Sequence, residues 1–303
     1  MKLFIKAIIL NTACVLFACI PAVAQTQTAA PPATEIFLVE LTNRNGRLSA
    51  GQARNITNRE GYDNQPAFTD GGQAVLFTSI REDNQADIYR YNISSGSSIK
   101  ITDTKESEYS PTVTPDGKHI SVIRVEADST QRLWKFPLNG GAPSLVLEKI
   151  KPVGYHVWVD GGTVLVFILG TPNTLQFVDL KSEKAEVISE NVGRSLHRRP
   201  DQHKYTFVHK LSEKEWVIKQ FDPSTRKVEP LIKTLAGSED YAWTTDGLLL
   251  MANGTKLFKW DPKKNAGWEE VADFSGAGLK SITRLAVSPK GDRLAMVATT
   301  GAK

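Results

Sequence analysis

A unit of about 45 residues recurs through most of this chain, and that period limits the possible folds. Its clearest copy runs from Tyr62 to Thr102, YDNQPAFTDGGQAVLFTSIREDNQADIYRYNISSGSSIKIT. Four short runs rich in Val, Ile, Tyr and Phe are separated by Gly, Asp, Asn and Ser, the pattern of an antiparallel meander. A single sheet of this size cannot bury both of its faces, so the repeat implies copies packed against one another. The residue before the first turn of each unit sets the register: Phe68, Val113, Trp158, Arg198, Trp243 and Val287, at spacings of 45, 45, 40, 45 and 44. The turns that follow are DGG at Asp70, PDG at Pro115, DGG at Asp160, PDQ at Pro200, TDG at Thr245 and PKG at Pro289. Asp-Gly suits tight hairpin loops, whose central residues favour positive φ. The third strand recurs as DIYRYN, RLWKFP, LQFVDL, WVIKQFD and KLFKWD.

Five units are complete, and a sixth begins near Ile282 but stops after its second strand. The missing half is found at the other end of the sequence. EIFLVEL, Glu35 to Leu41, reads as a third strand, and ARNIT, Ala53 to Thr57, reads as a fourth. The expectation is an all-β protein: a six-bladed β-propeller of four-stranded antiparallel blades, the last blade closed by N-terminal strands. Such closure removes the exposed sheet edges that make all-β chains prone to association.

Residues 1–24 stand apart. Lys2 and Lys6 flank an apolar run from Ala7 to Ile20, and Ala22-Val23-Ala24 precedes Gln25. This is the pattern of a secretory signal peptide, too short for a transmembrane span. The organisation expected is a signal over 1–24, a flexible leader over 25–34 and one propeller over 35–303, located in the periplasm or secreted. Both cysteines, Cys14 and Cys19, fall in the signal, so cleavage after Ala24 leaves neither disulfide nor thiol. The alternative is a lipoprotein anchored at Cys19, with an atypical lipobox at Leu16-Phe17-Ala18-Cys19. Removing Lys2 and Lys6 lowers the formal charge from +4 to +2. Nothing resembles a basic stripe or a nucleic-acid motif, so nucleic acid is not an expected partner.

The sequences NQPAFTDGGQAVLFTS…DIYRYN and EYSPTVTPDGKHISVI resemble the TolB-type repeats of the WD-like propellers. The first two units match that pattern well, the fifth and sixth moderately, and the third and fourth poorly. The resemblance implies an exported propeller that binds an envelope protein or peptide. It also implies a departure, since TolB carries an N-terminal α/β domain for which about ten residues after the signal leave no room. The motifs specify the blade rather than the task, and a function carried over from a fold is analogy.

In a propeller most strand side chains are core, and function gathers in the loops around the channel mouths. The connections into each first strand supply the candidate binding residues Asp63, Asn64, Glu108, Tyr109, Tyr155, His156, Arg194, His197, Arg198, Glu239 and Asp240. Acids, aromatics and arginines in one ring suit a protein or peptide contact, where Tyr and Arg are favoured anchors. The structural alternative is a solvated polar rim. Unit four is unusual because RSLHRRP places Arg198 where other units carry Phe, Val or Trp. That stretch reads either as a cationic patch for an acidic partner or as a degenerate blade with solvated or locally paired charges. The five histidines show no metal-ligand spacing, and no G-x-S-x-G or phosphate loop is present. The expectation is a monomeric, non-catalytic binding propeller with no metal and no cofactor. The rival readings are a metal-dependent lactonase or carbohydrate lyase, using residues such as Asn64, Glu108, His156 and Asp240, and a small-ligand or glycan binder using Trp268.

Overall fold

A computed structural model describes residues 31–44, 46–200, 202–264 and 266–300. The expected signal and Cys19 lie outside the described residues. From Pro32 onward the chain forms one compact unit of six antiparallel sheets. The first blade pairs Tyr62–Phe68, Ala74–Ile80, Ala86–Asn92 and Ser97–Lys100 in sequence order. The second runs from Ser107 to Leu145, the third from Val153 to Glu190, the fourth from Val192 to Lys233 and the fifth from Tyr241 to Asp273. First strands of neighbouring blades touch at every junction but that of the second and third, where the third blade's first strand meets His119–Val125 and Gln131–Pro137, and the ring closes around an axis. The register marker holds in every blade. Phe68 pairs with Val75, Val113 with Ile120, Trp158 with Val164, Arg198 with Tyr205, Trp243 with Leu249 and Val287 with Leu294.

Alternation along each strand sends neighbouring side chains to opposite seams. In the fifth blade Leu249 and Met251 pack on the fourth, while Leu248, Leu250 and Ala252 pack on the sixth. The described residues accordingly form six apolar clusters, one for each seam. Polar pegs add register between blades. The Trp158 indole N–H donates to the Ser121 hydroxyl at 2.8 Å, and Trp243 donates to Thr206 at 2.9 Å, from equivalent positions two blades apart.

The sixth blade is closed from the N-terminus. Leu279–Val287 and Arg293–Thr300 are joined by Glu35–Arg44, with Phe37 opposite Met296 and Glu35 opposite Ala298. Arg54–Asn55 pairs outside it, with Phe37 opposite Asn55. One detail was not anticipated. The closing strand continues to Arg44 and turns back as Arg47–Ala50, which tucks Leu48 beside Leu41 into the seam with the fifth blade. Asn43 also donates to the Asp246 carboxylate of that blade.

Candidate functional site

First strands wall a central cavity of about 350 Å³. The residue three places before each register marker is Gln65, Ser110, Tyr155, Ser195, Asp240 or Arg284, and all six line this cavity. The charged ones gather on one side. Asp240, 8% exposed, receives two hydrogen bonds from Arg194, at 3.2 Å from Nε and 2.6 Å from Nη2. Arg284 approaches the same carboxylate at 3.9 Å and donates to the Tyr155 hydroxyl at 2.9 Å. Glu239, next in chain to Asp240, accepts the Arg194 backbone N–H and the Lys210 ammonium, the latter at 3.0 Å. Gly193 makes that approach possible, because a Cβ there would lie 2.4 Å from the Glu239 carboxylate.

Burial alone would raise the Asp240 pKa. The positive charge of Arg284 and the paired, charged Arg194 outweigh it and hold the group below the usual aspartate range. Two guanidinium groups therefore face one buried carboxylate. Burial pushes His197 down to about 4 and His156 down to about 3, so both are neutral at physiological pH. The His197 ring lines the cavity and packs on Tyr241, with ring centres 4.7 Å apart.

Of the residues singled out from sequence, Tyr155, Arg194, Glu239 and Asp240 come together, and His156, His197 and Arg198 line the same cavity. The rest go elsewhere. Asp63, Asn64, Glu108 and His156 belong to the first strands rather than to loops, and all four are buried. Asp63 is held by Arg59, Asn64 donates to Thr34 at 3.3 Å, and the His156 Nε2 lies 2.6 Å from the Ser121 hydroxyl. Tyr109 packs against the core between the second and third blades. Arg198 is exposed at the turn end of its strand, 3.4 Å from His203, while Arg194 sits at the leading end. The two arginines of unit four thus stand at opposite ends of one strand, although both line the cavity, and Arg194 is ion-paired. Trp268 packs, partly buried, at the seam of the fourth and fifth blades and donates to the Lys233 carbonyl.

Arg284 was missed by reading the connections alone. It occupies the same offset from Val287 as Asp240 does from Trp243 and Tyr155 from Trp158, and that periodicity was the available signal. Lys210 was missed because it ends the second strand of its blade and joins the site only through Glu239.

Glu108 carries a testable consequence. One of its oxygens accepts from Thr104 at 2.6 Å, the other has no partner, and Arg124 stands 3.6 Å away. Burial, opposed by hydrogen bonding and by the charge of Arg124, pushes the carboxyl up to about 7. The folded state then binds the proton more tightly than the unfolded chain does. Stability falls as pH rises from the ordinary glutamate range through about 7, and is level above that. Glu108→Gln is expected to be nearly neutral at pH 5 and to stabilise by about 2 kcal/mol at pH 8. Urea unfolding at the two pH values measures this, and equal effects at both would refute it.

No protein-family model and no curated protein sequence matches the chain. Solved structures do. The chain is similar to a putative TolB from Agrobacterium tumefaciens, with TM-score 0.69 and 15% identity over 89% of this chain and 99% of that one. It is similar to TolB from Acinetobacter baumannii, with TM-score 0.56 and 15% identity over 88% of this chain and 64% of that one. It is also similar to an oligogalacturonate lyase in complex with manganese, with TM-score 0.54 and 15% identity over 82% and 80%. Identity at this level carries the architecture and not the chemistry. The fold is therefore that of a TolB-like six-bladed β-propeller.

Proposed function

We propose that the protein is an exported, non-catalytic propeller that binds a protein or peptide partner through the mouth where Arg194, Arg284 and Tyr155 converge. The observation that carries this reading is the composition of that mouth. Two guanidinium groups and a tyrosine stand over a cavity large enough for a side chain. Beside them, between the third and fourth blades, a groove lined by Pro172, Leu211 and Trp216 leaves Leu211 51% exposed, with Leu169 nearby at 36%. Arginine and aromatic anchors next to an apolar rim are the usual ingredients of a protein contact. Rigid blades present them at little ordering cost. The likeness to TolB supports the same reading and, with the signal-like N-terminus, a periplasmic location. Among the described residues no helix is long and apolar enough to cross a membrane.

The enzyme reading keeps the support of the lyase-like fold. Of its residues His156 and Asp240 line the cavity, and Asn64, Glu108, His156 and Asp240 are each hydrogen-bonded to a different partner. Among the described residues no group of three or more His, Cys, Asp or Glu could hold a metal.

The test is a crosslinked pull-down of the tagged mature protein from its native envelope fraction. Arg284→Gln is expected to reduce capture of one specific protein at least tenfold, and Arg198→Gln, at the turn end of the fourth blade's first strand, to leave it unchanged. Capture lost in Arg198→Gln but kept in Arg284→Gln would assign the other mouth. No specific capture by the parent protein would overturn the reading.

A further inference from the structure

We infer that Arg284 is the anchoring cation of a carboxylate-binding subsite, held in the free protein by a hydrogen bond that spans the channel to Tyr155. This deepens the reading of that mouth as a binding face and rests on it. The blades follow one another in sequence order around the ring, so the third and the sixth stand opposite each other. Arg284 belongs to the inner strand of the sixth blade and Tyr155 to that of the third. Their 2.9 Å hydrogen bond therefore crosses the axis, joining residues 129 apart in sequence. Closure of the ring does not need it, because strand pairing and the six apolar seams already supply that.

The charge balance points to what is missing. Both oxygens of Asp240 accept from Arg194, and its contact to Arg284 is long at 3.9 Å. Arg284 is 17% exposed at its side chain, so its charge is largely removed from water while its closest acceptor is the Tyr155 hydroxyl. Tyr62, within electrostatic reach of both arginines, cannot supply a negative charge, since burial pushes its hydroxyl up to about 12 against their opposing pull. His197 is neutral as well. At the end where Asp240 stands, one excess positive charge faces a cavity of about 350 Å³, and Arg198 adds another at the turn end.

A carboxylate fits this vacancy of charge better than a phosphate dianion, whose second charge would meet the nearby Asp240. The planar guanidinium matches a carboxylate with two parallel hydrogen bonds, and such charge-assisted pairs are roughly twice as strong as one to a neutral hydroxyl. The incoming carboxylate takes the place of the Tyr155 oxygen on Arg284, and the bar across the channel opens. An acidic side chain or chain end of a peptide and a free small acid share this chemistry.

The test follows the arginine Nε–H resonances of the ¹⁵N-labelled mature protein while sodium acetate replaces sodium chloride at constant ionic strength. The Arg284 resonance is expected to shift saturably, with a dissociation constant on the order of 1 mM for so small a ligand. Arg284→Lys, which keeps the charge and loses the fork, is expected to weaken acetate binding at least fivefold. Tyr155→Phe removes the competing acceptor and is expected to tighten it severalfold. Tighter binding of acetyl-Gly-Asp-Gly-amide than of acetate assigns the carboxylate to a peptide, and the reverse order assigns it to a free acid. Shifts that are absent, or that do not saturate, overturn the subsite, and weaker binding in Tyr155→Phe overturns the role given to the hydrogen bond. Because no partner protein enters this measurement, its failure alongside a successful pull-down would remove the carboxylate and leave the binding mouth.

Discussion

Asp240→Asn is expected to lower the unfolding free energy by about 3 kcal/mol at pH 7, although the substitution preserves the shape of the side chain. The carboxylate is buried and stands between Arg194, at 2.6 Å, and Arg284, at 3.9 Å. Neutralising it leaves two cations facing each other across a desolvated wall, and removing one member of a buried ion pair generally costs about 3–5 kcal/mol. The lower end applies, because Arg194 is 36% exposed and water screens part of its charge. The double variant Asp240→Asn/Arg284→Gln removes the repulsion together with the carboxylate and should recover about half of the loss. The pH dependence is a second signature. The folded-state pKa of Asp240 is depressed, so its contribution is present above the ordinary aspartate range and is lost as pH falls through the lower, folded value. The gap between parent and variant should therefore narrow in acid. Equilibrium urea unfolding at pH 7 and under acid conditions tests both points. A single-variant cost under about 1 kcal/mol, or strict additivity in the double variant, would show that the pairing does not carry this weight.

How much of this was legible beforehand depends on the range of the interaction. Turn chemistry is local: the Asp-Gly and Pro-Asp-Gly corners mark each blade, and the marker residue Arg198, chemically unlike its counterparts, still pairs with Tyr205 as Phe68 pairs with Val75. The closing strand was readable because its aromatic Phe37 and its alternation match the third strands of the other units. The site was only half readable. Position along the repeat pointed to Tyr155, Arg194 and Asp240. Burial of Asp63 by Arg59, of Glu108 by Thr104 and of His156 by Ser121 depends on partners chosen by folding. The Arg47–Ala50 turn-back has no counterpart in other units, so the repeat gave no warning of it. Arg284 was the costliest omission. Its partners are 44 and 129 residues away, and only the shared offset along six strands connects them in the sequence.

The closing strand should bear a large share of the stability, because its alternation serves two seams while it ties the N-terminal segment into the sixth blade. Ile36 and Leu38 face the first blade, in the cluster of Phe68, Phe77 and Tyr89, while Phe37, Val39 and Leu41 face the fifth, in that of Leu250 and Leu257. Ile36 and Val39 are fully buried. Ile36→Ala is expected to cost about 3 kcal/mol and Val39→Ala about 2 kcal/mol, the transfer loss plus the cavity left in a seam that cannot collapse freely. Combined, they remove about 5 kcal/mol, comparable to the whole stability of a marginal domain. The loss should also be localised. Weakening this strand uncovers the edge of Arg293–Thr300, so amide exchange ought to accelerate first in the sixth blade and only later in the third, across the ring. Glu40→Ala, exposed on the same strand, is the control and should change stability by less than about 0.5 kcal/mol. Hydrogen exchange with urea unfolding decides the matter. Uniform acceleration across all six blades would mean that the ring opens as one cooperative unit, and a combined loss under about 2 kcal/mol would mean that the apolar seams hold without this strand's side chains.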